Sequence, residues 1–285
     1  MVGANGVAVN ATGAYFVGFN DGEALPGTTA QGGWDAWVRV YDANGNVLAT
    51  RQFGTNGNDT ANGVAADSTG VYIGGQAGYG AAFPGQTNSG GTDGFVLRIP
   101  PPPDVSVGGV VNNASFASSP APLAPGSIAA VFGSNLNDGS SMLFSSFGSD
   151  NRLVTTLGGT SATINGTPTP IFYSTLGQIG LQIPFEVSGQ TSATILVTVA
   201  GQTSTPRTIN LDVAAPGIFT ANQQGTGIAA VLHQDGITPV TIQNPAHPNE
   251  VVVFFVTGLG ALNPALATGA PSVGNQTVTD RKSVV

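Results

Sequence analysis

The chain has 285 residues, of which 42 are glycine and 19 proline; only 8% are charged, and the net charge is −8. The absence of cysteine excludes disulfides, thiolate nucleophiles and Cys-ligated metals, and a single lysine, Lys282, excludes the basic cluster that nucleic acid binding requires. No run approaches the ~18 apolar residues of a membrane span, and residues 1–20 show neither the basic start nor the apolar stretch of a signal peptide. With 41% hydrophobic residues, many of them β-branched and set in short runs between Gly- and Asn-bearing turns, the chain reads as all-β.

A repeat organises the first third. Asn5-Gly6-Val7-Ala8-Val9-Asn10-Ala11-Thr12-Gly13-Ala14-Tyr15 returns 57 residues later as Asn62-Gly63-Val64-Ala65-Ala66-Asp67-Ser68-Thr69-Gly70-Val71-Tyr72. Gly33-Trp34-Asp35-Ala36-Trp37-Val38 returns as Gly91-Thr92-Asp93-Gly94-Phe95-Val96. Such self-similarity signals stacked supersecondary units. In the first copy, residues 6–9, 14–18, 36–41 and 46–53 are strand-like. Asp42-Ala43-Asn44-Gly45 is a turn, because Asn-Gly tolerates positive φ. Four strands per copy describe one propeller blade. The four prolines at 100–103 cannot join a central strand and favour stiff polyproline II, so they are read as a linker. Beyond them, residues 127–132, 161–164, 170–173, 179–183, 193–200, 208–213, 228–233 and 251–257 are strand-like, with Asp235-Gly236 as a hairpin signal. Turn signals every 8–12 residues suggest a β-sandwich.

Few residues are candidates for catalytic chemistry. A Ser-His-Asp triad needs a base, and only His233 and His247 qualify; neither lies near a Gly-x-Ser-x-Gly elbow. His233, Asp235, His247 and Glu250 form a conceivable ligand set whose spacing does not resemble a metal motif. Glu23, Glu186 and Glu250 fall in loops or at strand edges rather than as a glycosidase pair. Asp35 and Asp93 recur once per copy, which points to a turn N–H acceptor in each. Asn56-Gly57-Asn58-Asp59 lacks the acidic density of a calcium loop and reads as a turn. Gly32-Gly33 and Gly74-Gly75 precede no helix that would hold a phosphate. Trp34, Trp37, Tyr79 and Phe83 are candidates for an aromatic carbohydrate platform; Trp37 alternates as a core residue, leaving Trp34 as the ligand-binding candidate. The expected state is therefore no enzyme, no cofactor and no metal.

Two resemblances add to this reading. The phrases Asn62–Ala65, Gly70–Gly75, Asp93–Ile99 and Phe53–Asp59 resemble the bacterial SBBP β-propeller repeat. The likeness covers residues 3–99 and implies an incomplete propeller with further blades upstream. Residues 104–279 resemble the uncharacterised C-terminal domain of secreted acidobacterial proteins, the Solibacter-type domain. That likeness rests on Val110–Phe116, Ala124–Ile128, Phe132–Leu136, Phe172–Ser174, Gly177–Ile179, Gln182–Pro184, Ala215–Phe219, Asn244–Ala246 and Thr257–Gly260. It implies Ig-like sandwiches without catalytic residues, here spanning 104–220 with the start of a second, truncated unit at 221–279. The last six residues, 280–285, spell one reading frame of a common sequencing adapter and are read as a non-native tail. The expectation is a partial β-propeller of about two blades joined by a proline linker to Ig-like sandwich, acting as an extracellular or cell-surface binding or display module. Its partner would be a protein or glycan; a structural spacer, or the accessory region of an enzyme, is the alternative.

Overall fold

The computed structural model describes residues 1–272 and 276–278. The chain divides into two compact units, one ending at Pro101 and the other beginning at Pro102. Both are built from antiparallel sheets, and among the described residues the one helical turn is a 3-10 turn at Phe185–Val187. No helix among them is long and apolar enough to cross a membrane.

The first unit holds two sheets. β1 (Val2–Asn10), β2 (Gly13–Asp21), β3 (Trp34–Tyr41) and β4 (Val47–Phe53) form a four-stranded meander; β5 (Thr60–Asp67), β6 (Gly70–Ala77) and β7 (Asp93–Ile99) form a three-stranded one. The two copies share one register. Val7 pairs with Phe16 as Val64 does with Ile73, and Ala8 with Tyr15 as Ala65 does with Tyr72. Val17 pairs with Val38 as Gly74 does with Val96. Each first strand carries the same irregularity, at Ala4/Gly6 and at Ala61/Gly63. The tight turn is repeated too. Thr12 N–H donates to Asn10 Oδ1 and Thr69 N–H to Asp67 Oδ1, and each Thr hydroxyl meets the following tyrosine, Tyr15 at 2.5 Å and Tyr72 at 2.9 Å. Glycine is required at Gly13 and Gly70, where a Cβ would lie 2.4 Å from Tyr41 O and 2.6 Å from Ile99 O.

The sheets pack face to face. Tyr15, Val17, Ala36 and Val38 of the first sheet share one buried cluster with Val71, Ile73 and Ile99 of the second. Two asparagines stitch the innermost strands, Asn5 Nδ2 to Ala61 O and Asn10 Nδ2 to Asp67 O. Because strand side chains alternate, each sheet keeps a second face uncovered. Val7, Val9 and Phe16 are exposed on the first sheet and Val96 on the second.

The second unit is sandwich-like. Its first sheet runs β10 (Leu143–Phe144), β14 (Ile171–Ser174), β15 (Gln178–Gln182), β9 (Ile128–Ser134), β8 (Asp104–Asn112). The other runs β11 (Thr156–Leu157), β12 (Thr160–Ile164), β16 (Ser192–Val199), β17 (Gln202–Thr203), with β13 (Thr167–Pro168) on β12 and β18 (Arg207–Asn210) on β16. Inward residues of both sheets, among them Val131, Ile179 and Leu181 against Ile164, Ile195 and Val197, form one core. Clean alternation in β16 follows from this, with Ala193, Ile195, Val197 and Val199 buried and their neighbours not.

The phrases that carry the second resemblance converge. Asn112 Oδ1 accepts from Ala114 and Ser115 N–H while its Nδ2 donates to Ala215 O. A Cβ on Gly217 would lie 2.5 Å from Asn112 Oδ1, and one on Gly258 would lie 2.0 Å from Ala215 O. Ile128 N–H donates to Thr257 Oγ1. Tyr173 OH donates to Asn113 Oδ1 and accepts from Gln178 Nε2; burial pushes its phenol up to about 12, so it stays a donor. These residues are joints between segments.

Chain after residue 213 departs from expectation. The strands read at 228–233 and 251–257 shrink to β20 (Val231–Leu232), β21 (Val253–Phe254) and β22 (Val256–Thr257), with β19 (Gly217–Ile218), β23 (Leu262–Asn263) and β24 (Thr277–Val278) as further short pieces. The apolar run is divided between partners: β21 pairs with β20 and β22 with β19. Its residues Val251, Val253, Phe254, Phe255 and Val256 are exposed. The tail read at 280–285 lies outside the described residues.

Equivalent valines should therefore have unequal value. Val38→Ala removes buried methyls and should cost about 2 kcal/mol, whereas Val96→Ala, at 78% exposure, should stay within about 0.5 kcal/mol. Urea unfolding of dilute protein measures both; equal costs would contradict the packing described.

Candidate binding cleft

A cavity of about 600 Å³ lies in the first unit beside β7. Consecutive β7 residues Asp93–Leu97 line it, together with Ala81–Pro84 from the loop after β6 and Phe53 from the end of β4. Phe95 is its centre. It packs edge-on against Phe83 (5.1 Å, 76°) and against Phe53 (5.9 Å, 80°). A volume in this range, apolar walls and a few polar groups are what small-ligand and side-chain pockets require.

The cleft exists because of what β7 lacks. In the first sheet, β3 is flanked by β2 and β4, with Ala36 opposite Phe53 and Trp37 opposite Gln52. In the second sheet β7 pairs with β6 alone among the described residues. Its outer edge consequently presents unpaired N–H and C=O groups, and the aromatic cleft runs along that edge. Gln86, Thr87 and Ser89 supply polar wall. Asp93 is committed to its loop: Oδ2 accepts from Ser89 N–H and Asn88 Nδ2. Asp35 accepts from Gln31 N–H and Gln52 Nε2 in the same way, so the two matched aspartates each hold a loop in place. Asp59, fully buried, accepts from the N–H groups of Thr55 and Gly78; the segment 56–59 is a turn built around it.

The aromatic platform read from sequence is dispersed. Trp34 is 39% exposed and stacks on Phe19 at 4.8 Å. Trp37 is buried and, being three residues on along β3, points to the opposite face. There it lines a smaller groove of about 260 Å³ with Phe16, Arg39 and Tyr41. Tyr79 projects into solvent at 83% exposure. Only Phe83 enters the large cleft. Phe53 and Phe95 escaped the sequence reading; the signal was the absence of a β4 counterpart between Ile99 and the prolines.

Folding also joins residues of the second unit that their spacing kept apart. His233 Nδ1 lies 2.6 Å from Glu250 Oε1, and Nε2 lies 3.2 Å from Asn244 O. Glu250 further accepts from His247 N–H at 2.9 Å. Asp235 caps its own turn: the Thr238 hydroxyl, then the Ile237 and Thr238 N–H groups, hold it at about 2. The hydrogen bond to Glu250 raises His233 above its ordinary value, and the His247 N–H followed by His233 lowers Glu250. Asn244, rather than a serine or threonine, occupies the far side of the imidazole, so the pair is a clasp between β20 and the loop at 244–250. No group of three or more His, Asp or Glu suited to a metal occurs among the described residues.

Comparison with models of known families and with curated proteins finds no match.

The clasp has a defined pH window. A raised His233 contributes stability that is full below the unfolded value near 6.5 and is lost as pH rises through its folded value. A lowered Glu250 contributes stability present above 4.5 and lost as pH falls through its folded value. Amide exchange over residues 231–250 should thus be slowest between about pH 4.5 and 6.5 after correction for intrinsic rates, and His233→Gln should flatten the alkaline side. A profile unchanged by that substitution would contradict the clasp.

Proposed function

We propose that the chain is a non-catalytic binding module of an extracellular or cell-surface bacterial protein, and that its first unit receives an extended segment of a protein partner along the β7 edge. The observation that carries this reading is the open edge itself, set beside three phenylalanines where the other copy has a strand. Strand addition draws affinity from main-chain hydrogen bonds and specificity from pockets for alternate side chains. Here the side chain opposite Phe95 would enter the cleft between Phe83 and Phe53, as Gln52 sits opposite Trp37 in the complete sheet.

Reading the two copies as successive propeller blades fits this proposal, since a blade has four strands. The second unit, read as Ig-like sandwich, serves as the scaffold that displays the first. The SBBP and Solibacter-type resemblances support the extracellular setting. The phenylalanine lining and the open backbone edge favour a peptide segment over a glycan, whose recognition relies on hydroxyl-matched polar groups as well as a stacking face.

A peptide carrying residues 46–54, the strand that fills the equivalent place in the other copy, is the first probe. It should bind with an affinity that falls roughly tenfold or more in Phe83→Ala, and a version N-methylated at alternate amides should not bind. Binding of a glycan array with no peptide binding would replace the proposed ligand class; binding of neither would favour the spacer role.

A further inference from the structure

The two uncovered faces of the first unit are the two halves of an interface that the unit already contains. The covered contact joins one face of β1–β4, carrying Tyr15, Val17, Ala36 and Val38, to one face of β5–β7, carrying Ile73, Phe95 and Ile99. By the shared register, the free face of β5–β7 is the counterpart of the first of these, and the free face of β1–β4 is the counterpart of the second. On the free face of β1–β4, exposed Phe16 and half-buried Tyr41 stand where Ile73 and Ile99 stand in the covered one, and Trp37, already buried there beside Leu25, stands where Phe95 does. We propose that a second copy of this chain docks there head-to-tail, the β5–β7 face of one copy covering the β1–β4 face of the next.

Size differences between the copies support the match. The free β1–β4 face carries larger residues than its covered counterpart: Phe for Ile, Trp for Phe and Tyr for Ile. At its centre the free β5–β7 face carries smaller ones, Gly74 for Val17 and Gly94 for Ala36, while Tyr72 and Val96 match Tyr15 and Val38 and Arg98 at one end is larger than Val40. Gly63 and Gly74 have open space where a Cβ would be. Bulk gained on one side is removed from the other, as close packing requires.

The polar stitch is preserved as well. Asn62 is the counterpart of Asn5, whose Nδ2 donates across the covered interface to Ala61 O. Asn62 is exposed, and its acceptor in the next copy is the Ala4 carbonyl. Arg39 and Arg98, which replace Leu97 and Val40, are held within their own sheets by Thr50 Oγ1 and Thr69 O. A contact between two different faces is heterologous, so it closes into a ring when the rotation permits and otherwise extends as a filament.

Sedimentation of the whole chain from nanomolar to high micromolar concentration tests this. Self-association is expected, and it should be abolished separately by Val7→Asp on one face and by Val96→Asp on the other. Each variant keeps one intact face, so an equimolar mixture of the two should recover a heterodimer and stop there. Asn62 is exposed, and Asn62→Ala should weaken association about fivefold. A chain monomeric at every concentration, association indifferent to both charged variants, or a mixture that stays monomeric would each overturn the proposal.

Discussion

The first unit depends on the contact between the face of β1–β4 that carries Val17 and Val38 and the face of β5–β7 that carries Ile73. A single sheet leaves its apolar face in water, and stacking against a neighbouring repeat is what buries that face and stabilises the pair. The contact fixes which side chains are core, and alternation then fixes which are left outside. It also places Phe53 next to Phe95, because β4 completes one sheet and ends over the other. The cleft, the open edge and the two uncovered faces are therefore consequences of one packing event between a four-stranded and a three-stranded copy.

The second unit solves a different problem. Its core is made by two sheets of unequal build, and its long connections are secured by side chains that bond to backbone. Asn112 holds the turn after β8 and the carbonyl of Ala215; Thr257 and Thr268 accept the N–H groups of Ile128 and Phe185. Gln182 Oε1 accepts from Gly269 N–H. The stretch after residue 213 is secured in this way more than by sheet ladders of its own. Residues that look like motifs in the sequence are here joints.

The repeat, the turn glycines Gly13 and Gly70 and the matched aspartates Asp35 and Asp93 were visible in the sequence because their cause is local: a turn that only glycine fits, a loop that needs an acceptor. β16 was visible because one face is fully buried, so period-2 alternation survives. The run at 251–256 was misread because its apolar content is high while its partners change midway, and no local signal reports partner exchange. The His233–Glu250 clasp was discounted because seventeen residues separate them and only the fold shortens that distance. The cleft was missed because it is defined by an absent strand. Trp34 was singled out as the exposed aromatic; the structure stacks it on Phe19 and leaves the larger cavity to three phenylalanines.

The most direct test of the account is native-state hydrogen exchange of β3 against β7, residue by residue at matched positions. β3 is bonded on both sides, so all its interior amides should be protected; in β7 the amides that point away from β6 should exchange far faster than their β3 counterparts while those that point towards it remain slow. An alternating fast–slow pattern confined to β7 is the predicted result. Uniform protection along β7, matching that of β3, would mean that the edge is already covered and would contradict the account.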